Sequence, residues 1–271
     1  METTIKTASL ILAAGRGSRM KDYDGTKTLL PLSPGLSPYD GKNPILLEIL
    51  NNLPQGPKAV VINHGKDDII EATRGLDLTY CEQPVLNGTG GALLAARKFL
   101  ELHQFDLLII TMGDVPLVRR STYAGMLENL KINRLAVLGF MPDDKKQYGV
   151  LEVEGGQVWK ITEWKYWREY PVNMQESLRI CNSGIYAVIR DDLIRYLPVL
   201  ASRPHIVQKQ INGVLTDVEE FFITDIVEYM CNDGLSVGYV IGDEDEVMGV
   251  DDLPALERAQ GLFMRRGNDL R

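Results

Sequence analysis

Cysteine and histidine are scarce in this sequence of 271 residues, with three of each. Cys81, Cys181 and Cys231 lie far apart and form no C-x-x-C pair, which argues against a disulfide framework and against a zinc site. The three histidines occur in unrelated contexts, and none suggests a nucleophile paired with its base. We therefore expect chemistry that needs neither thiol nor imidazole, in a reducing compartment such as the cytoplasm.

Positive charge and long apolar runs are also lacking. The net charge of -8 gives no overall field that would attract nucleic acid or an anionic membrane. The apolar run at 107–112 is far too short to span a bilayer, and the chain opens with no leader-like segment. With 45% hydrophobic residues, the chain can bury one large core. We expect a single cytoplasmic domain, residues 1–271, that binds neither nucleic acid nor membrane; its oligomeric state stays open.

What the first half does contain is a regular alternation of helix-like and strand-like segments. In chain order these are helix 43–50, strand 59–63, helix 66–74, strand 79–82, helix 92–102 and strand 106–111. Such alternation predicts right-handed crossovers and a mostly parallel sheet with helices on both faces. The predicted fold class is therefore α/β, three-layered and Rossmann-like, with ligands outside the carboxyl ends of the strands.

Two helix starts carry specific cap signals. Asn43 stands where an N-cap residue is expected, and Pro44 would then occupy the first helical position. Thr89 would be the natural cap of the helix at 92–102.

The pattern changes after residue 134. Strand-like runs follow at 135–140, 149–153, 158–163 and 180–188, and residues 154–157 have the composition of a hairpin turn. This part predicts a smaller mixed-sheet extension that holds a second substrate. The stretches 164–178 and 201–213 show no clean period and are expected to be irregular surface segments. A helix at 224–232, a strand at 236–241 and a helix from about 253 complete the chain.

The most informative loop follows the first strand. The apolar run 9–14 ends in Gly15-Arg16-Gly17-Ser18-Arg19-Met20, with Lys27 further on. Met20 replaces the third glycine of the dinucleotide-binding fingerprint, and Lys27 is not part of a Walker string. Two interpretations remain: a glycine-rich turn with solvated cations, or an open loop whose cations and backbone N–H groups bind phosphate.

The segment Leu12–Met20 with Lys27 resembles the signature of sugar-phosphate nucleotidylyltransferases, above all those that transfer uridylyl to N-acetylglucosamine 1-phosphate. Further blocks match in the family's order across nearly the whole chain. They are Gln83 with Gly88-Thr89-Gly90, Gly113–Leu117, Tyr148-Gly149, Glu163-x-Lys165, Asn182–Tyr186, Phe222–Ile226 and Gly249–Asp252. The resemblance implies Mg²⁺-dependent nucleotidyl transfer from UTP or dTTP to a sugar 1-phosphate, giving a nucleotide sugar and pyrophosphate. Since the nucleophile is already an anion, no general base is needed.

The resemblance also implies a role for individual residues. The catalytic residues are Arg19, Lys27 and Asp114. The nucleotide-binding residues are Leu12, Ala13, Ala14, Gly15, Gly17, Gln83, Gly88 and Thr89. The sugar-binding residues are Gly149, Glu163 and Asn182, and the metal ligands are Asp114 and Asp251. The nucleotide part then comprises about 1–134 and 223–271, and the sugar part about 135–222.

Three departures from the family pattern leave alternatives open. The family has asparagine where this chain has Asp251, which adds a negative charge and could also cap the following helix. Trp164, Tyr166 and Trp167 fall in a part that is usually more polar, where they either stack on a sugar or cover the sheet. The hexapeptide repeats of the acetyltransferase domain found in bifunctional relatives do not occur, so acetyl transfer is not expected.

Two other function classes remain alternatives. One is a nucleotide-sugar sensor that binds without turnover. The other is a glycosyltransferase, for which Asp243-Glu244-Asp245 has the Asp-x-Asp spacing of a metal motif, although an acidic run after a late strand is more typical of a solvated loop.

Overall fold

The structure, a computed structural model, describes residues 5–15, 20, 23–211 and 213–269. The strands are β1 (Thr7–Leu12), β2 (Pro31–Pro34), β3 (Gly41–Pro44), β4 (Lys58–Ile62), β5 (Leu78–Glu82), β6 (Leu107–Met112), β7 (Leu135–Phe140), β8 (Val150–Glu154), β9 (Gln157–Thr162), β10 (Cys181–Ile189), β11 (His205–Ile211), β12 (Val214–Glu220) and β13 (Val237–Ile241). The helices are α1 (Ile45–Asn52), α2 (Lys66–Ala72), α3 (Gly88–Ala95), α4 (Arg97–Leu102), α5 (Arg120–Asn129), α6 (Trp164–Trp167), α7 (Val172–Ser177), α8 (Arg190–Ala201), α9 (Thr224–Asn232), α10 (Glu244–Val247) and α11 (Leu253–Asp269). A short 3-10 helix spans Lys27–Leu29.

Nine of the described strands form one sheet in the order β13-β7-β10-β6-β1-β4-β5, and β8 and β9 extend it beside β10. The pairs β1–β4, β1–β6, β4–β5 and β13–β7 are parallel. The strand β10 runs antiparallel to β6, β7 and β8. The predicted mostly parallel sheet with a smaller mixed extension is therefore confirmed.

Side chains of the central strands alternate between two apolar cores, one on each face of the sheet. In β1, Ile11 belongs to one core, whereas Leu10 and Leu12 belong to the other. Helices α1, α5 and α11 cover the face of Ile11, and α3, α4, α8 and α9 cover the opposite face. Burial on both faces explains why these strands read as near-continuous apolar runs. None of the helices in the described part of the chain is long and apolar enough to cross a membrane.

The carboxyl ends of four adjacent parallel strands lie at one edge of the sheet. The backbone stays paired just beyond them, since Ala13 N donates to Val61 O, Gly113 N donates to Leu12 O and Gln83 N donates to Ile62 O, each at 2.9 Å. The loops that follow β1, β5 and β6 therefore start side by side. This edge holds the candidate site.

Both predicted helix caps are wrong, for the same physical reason. Helix α1 begins at Ile45, and Pro44 instead ends β3, where it pairs with Pro31. Asn43 has φ of 58° and lies outside the helix. Helix α3 begins at Gly88, and the hydroxyl of Thr89 accepts a hydrogen bond from Ile223 N at 3.2 Å. In each case a tertiary contact takes the place of the local cap.

The expectation of an irregular segment at 201–213 is also wrong. Residues 205–211 form β11, which pairs antiparallel with β12 from His205–Glu220 to Ile211–Val214. In the sequence, the two strands are separated by Asn212-Gly213, a pair favoured in two-residue hairpin loops, of which Asn212 lies outside the described residues. This two-stranded hairpin is separate from the large sheet.

The aromatic stretch at 164–178 contains two short helices, α6 and α7, rather than only irregular chain. Trp167 is buried, and its indole N–H donates to Tyr148 O at 2.8 Å. Tyr166 remains half exposed. Of the two interpretations of these aromatic residues, covering the sheet holds for Trp167.

The two-faced sheet predicts a large stability effect at its centre. Ile109 of β6 is fully buried, so Ile109→Ala should lower the free energy of unfolding by about 2–5 kcal/mol. The same truncation at Ile132, which is 80% exposed, should change it by less than about 0.5 kcal/mol. Urea denaturation followed by circular dichroism measures both, and equal losses would contradict the assignment of the core.

Candidate active site

A pocket of about 350 Å³ opens at the carboxyl edge of the parallel strands. It brings together nine predicted site residues, namely Leu12, Ala13, Ala14, Gly15, Lys27, Gln83, Gly88, Thr89 and Asp114. Its wall also includes Thr28, Leu86, Ala92, Met112, Gly113, Lys209 and Glu220. Gly17 and Arg19, which were predicted to contribute, lie outside the described residues.

The ammonium group of Lys27, in the wall of this pocket, connects the carboxylate of Asp114, which also lines it, to that of Asp251. Its Nζ donates to Asp114 Oδ2 at 2.7 Å and to Asp251 Oδ1 at 2.8 Å. The Lys27 side chain is 10% exposed. Burial alone would lower the pKa of Lys27, but the two carboxylates outweigh it, so that the pKa is raised. Lys27 therefore stays charged.

Backbone contacts hold this cluster in place. Asp114 is the second residue after β6, which ends at Met112. Its carbonyl oxygen accepts a hydrogen bond from Val250 N at 2.8 Å. This contact fixes the loop before α11 beside the loop after β6. The cap of α11 is Asp252, whose Oδ1 accepts from Ala255 N at 2.9 Å, which leaves the carboxylate of Asp251 to contact Lys27.

The opposite end of the pocket is formed by Gln83 and the start of α3. Gln83 is 4% exposed, and its Nε2 donates to Asn87 Oδ1 at 3.1 Å and to Gly88 O at 3.2 Å. Gly88 has φ of 93°, and a Cβ there would lie 2.4 Å from Phe221 O. Only glycine allows the two backbones to approach so closely. The position of the Gly88 backbone in the pocket wall is thereby fixed.

The three predicted sugar-binding residues form a second polar cluster. Asn182 N donates to Gly149 O at 2.8 Å, and a Cβ built on Gly149 would lie 3.5 Å from Glu163 Oε2. None of the three lines the pocket, but Gly184, whose N donates to Asn182 Oδ1 at 3.0 Å, lies against the pocket residue Met112, since a Cβ built on Gly184 would be 3.3 Å from Met112 Cγ. The structure therefore brings the two predicted halves of the site next to each other.

Glu163 is the carboxylate of this second cluster. Burial raises its pKa, and the nearby Asp225 adds to the increase, whereas Lys165 and a hydrogen bond from Thr224 oppose it. A partly buried carboxyl with few protein donors is suited to accept hydrogen bonds from the hydroxyl groups of a ligand. The arrangement can thus accept hydrogen bonds from a polyol beside the pocket of about 350 Å³.

Sequence reasoning missed Lys209 and Glu220, which lie on the β11–β12 hairpin and line the pocket. Asn212-Gly213 was the signal that could have revealed the hairpin. The Asp-x-Asp segment has structural roles instead. Asp243 caps α10 by accepting from Asp245 N at 2.8 Å, and Asp245 pairs with Arg258 at 2.5 Å.

Comparison with known proteins agrees with this geometry. The family model of the MobA-like NTP transferase domain matches residues 9–204. The chain belongs to this family. The family assignment and the fold confirm the resemblance to nucleotidyltransferases that the sequence predicts.

Two curated bacterial proteins match nearly the whole of this NTP transferase chain. A protein named bifunctional protein GlmU from Novosphingobium aromaticivorans is 31% identical over 266 residues, which cover 96% of this chain and 53% of the relative. GlmU from Rhodopseudomonas palustris is 33% identical over 272 residues, covering 97% and 54%. The chain thus spans about half the length of these relatives.

Solved structures share the fold of this NTP transferase at lower identity. A protein described as a glucose-1-phosphate thymidylyltransferase from Bacillus anthracis gives a TM-score of 0.66 at 20% identity, covering 94% of each chain. A nucleotidyl transferase from Methanothermobacter gives 0.61 at 19% identity, covering 96% of this chain and 99% of that one. These likenesses show the fold.

The raised pKa of Glu163 predicts a pH-dependent cost in stability. Above the ordinary value of 4.5 the folded protein binds more protons at this carboxyl than the unfolded chain, so stability falls as the pH rises through the raised folded pKa. Glu163→Gln should remove this dependence and be more stable than wild type at pH 7.

Urea denaturation at pH 4 and pH 7 tests this prediction, with the exposed Glu219→Gln as the matched control. The gain from Glu163→Gln should shrink towards pH 4, where the wild-type carboxyl is protonated. An equal gain at both pH values would show that the effect does not come from this carboxyl.

Proposed function

We propose that this protein transfers a nucleotidyl group from UTP, or from dTTP, to a sugar 1-phosphate and releases pyrophosphate. The observation that carries the proposal is the contact of Lys27 with Asp114 and Asp251 at a glycine-walled pocket that Lys27 and Asp114 line, together with the nearby second cluster and its partly buried Glu163 carboxyl. The Lys27 ammonium can bind phosphate, and the two carboxylates can bind Mg²⁺. The polar groups of the second cluster can bind sugar hydroxyls. N-acetylglucosamine 1-phosphate is the first candidate for the acceptor.

The donor set fits Mg²⁺. Asp114 and Asp251 both bond to the Lys27 ammonium, so their carboxylates lie close enough to share one cation. Among the described residues, no three or more His, Cys, Asp or Glu side chains form a metal-binding group. Mg²⁺ is typically held by one or two carboxylates, with substrate phosphates and water completing its shell. When bound, the ion would stabilise negative charge on the phosphates of the transition state and of the leaving pyrophosphate.

The protein's own groups then have separate tasks. Lys27, together with Arg19 from the sequence resemblance, would hold the phosphate oxygens, because fixed cations stabilise the charge of phosphoryl transfer. The amide of Gln83 and the backbone at Gly88 would contact the edge of a pyrimidine base. The attacking oxygen of the sugar phosphate is already anionic, so in-line attack on the α-phosphorus requires positioning rather than proton abstraction.

Sugar selection would come from the second cluster. Gly149, Glu163 and Asn182 offer a backbone group, a carboxylate and an amide within one partly buried region. A wrong epimer would leave such groups unpaired, which costs binding energy. The proposed division into a nucleotide part (1–134 and 223–271) and a sugar part (135–222) follows these two clusters except at the β11–β12 hairpin, where Lys209 and Glu220 line the nucleotide pocket.

A matrix of nucleoside triphosphates against sugar 1-phosphates tests the proposal. With Mg²⁺ present, pyrophosphate release should be greatest for UTP or dTTP with one sugar phosphate. Absence of release for every pair would reject the function, and UTP binding by calorimetry without release would instead favour the sensor. Transfer of sugar from a nucleotide sugar to an acceptor would favour the glycosyltransferase.

The proposed metal role of Asp114 predicts a severe loss on substitution. Asp114→Asn should lower kcat by about 10²-fold or more, since an amide is a poorer ligand for a hard cation and leaves the Lys27 charge less balanced. The assay is pyrophosphate release over a Mg²⁺ titration. Asp77→Asn, at an exposed position, is the matched control and should keep the wild-type rate. An unchanged rate for Asp114→Asn at saturating Mg²⁺ would remove Asp114 from the metal site.

A further inference from the structure

We propose that Glu220, held by Lys209, binds the ribose hydroxyls of the nucleotide and makes the pocket selective for ribonucleotides over 2′-deoxyribonucleotides. The inference rests on the proposed function, because it takes the nucleoside to lie at the end of the pocket formed by Gln83 and Gly88. It would decide between UTP and dTTP as the nucleotide.

The base of the β11–β12 hairpin is fixed against the pocket. On one strand, His205 Nε2 lies 2.8 Å from Asp225 Oδ2 of α9. Directly after the other strand, Phe221 N donates to Asn87 O at 2.9 Å, and Phe221 O accepts from Gly90 N at 2.8 Å. Glu220 is the residue before Phe221, so its backbone is held beside the start of α3. It therefore occupies a defined place in the pocket wall.

The two charged residues share one face of the hairpin. Alternation along β12 places Glu220 and Val218, which are partly buried, on the inner face and the exposed Glu219 on the outer face. Lys209 forms an ion pair with Glu220, and both line the pocket. The Glu220 side chain is 14% exposed and that of Lys209 is 44% exposed. The lysine holds the carboxylate in one orientation and leaves an oxygen for a ligand.

The chemistry of a carboxylate restricts what Glu220 can bind. An ionised carboxylate only accepts hydrogen bonds, whereas phosphate oxygens and base carbonyls are acceptors and are repelled by it. The hydrogen-bond donors of UTP are the base N3–H and the two ribose hydroxyls. Under the proposed function the base edge faces Gln83 and Gly88. The ribose cis-diol, which can donate to a carboxylate through both hydroxyls, is the remaining partner.

Kinetics with UTP and dUTP test this role, since the two nucleotides differ only at the 2′ position. Hydrogen bonds to charged groups are strong, so the wild type should prefer UTP in kcat/KM by about ten- to a hundredfold. Glu220→Ala should reduce the preference to within about threefold, mainly by lowering kcat/KM for UTP. Lys209→Met should reduce it by a smaller factor, because the carboxylate remains but loses its holding partner.

Glu219→Ala is the matched control, since it removes the same side chain from the outer face of the same strand. It should keep the wild-type preference. Glu220→Gln, which preserves shape but not charge, should give an intermediate ratio and serves as the second variant if thermal melting shows that Glu220→Ala is unfolded. An equal fall with UTP and dUTP, or an unchanged ratio, would overturn the inference.

The failure of this inference can be separated from failure of the proposed function. An active wild type with no preference between UTP and dUTP rejects only the role of Glu220. If the wild type releases no pyrophosphate, the proposed function fails, and calorimetric titration with UMP and dUMP still decides the inference. Tighter binding of UMP that Glu220→Ala abolishes would support it, and equal affinities in the wild type would overturn it.

Discussion

The contact of Lys27 with Asp114 and Asp251 is the interaction on which the candidate site depends. It joins residues that are 87 and 224 positions apart in the chain. An unpaired ammonium in so enclosed a position would cost folding free energy. The two carboxylates offset that cost for Lys27. Because Asp114 follows β6 and Asp251 precedes α11, the contact also links the start of the C-terminal helix to the end of a central strand. The same three side chains therefore contribute both to the fold and to the candidate site.

Much of the fold was predictable because periodicity and burial are local properties. The runs in β1, β4 and β6 read as buried strands, and their alternation with helices leaves few topologies other than a three-layer sheet. The candidate site was predictable for a related reason. Residues that follow parallel strands must converge at one edge, so Ala13, Gln83 and Asp114 could be placed together before any contact was known.

The two errors in the predicted helix caps have a common physical origin in contacts with other parts of the chain. Asn43 and Thr89 have the right chemistry for caps, but pairing of Pro44 with Pro31 and the bond from Ile223 to Thr89 determine the backbone there. A short segment of sequence does not reveal which other parts of the chain it will contact. The hairpin at 205–220 was different, since Asn212-Gly213 was a local signal that its polar flanking residues obscured. Its strands are largely exposed and so lack the apolar pattern of a buried strand.

The charge of the cluster bears on the order of events in the proposed reaction. Two of the three side chains are carboxylates and one is an ammonium, so together they carry a formal net charge of -1. The two carboxylates would repel a free triphosphate. A triphosphate that carries a bound cation would instead bring positive charge, which the carboxylates attract. The additional carboxylate at Asp251 strengthens this condition relative to an asparagine. Under the proposed function, the site is therefore better matched to a metal–nucleotide complex than to a free triphosphate, and the Lys27 ammonium offsets the repulsion between the two carboxylates before the complex binds.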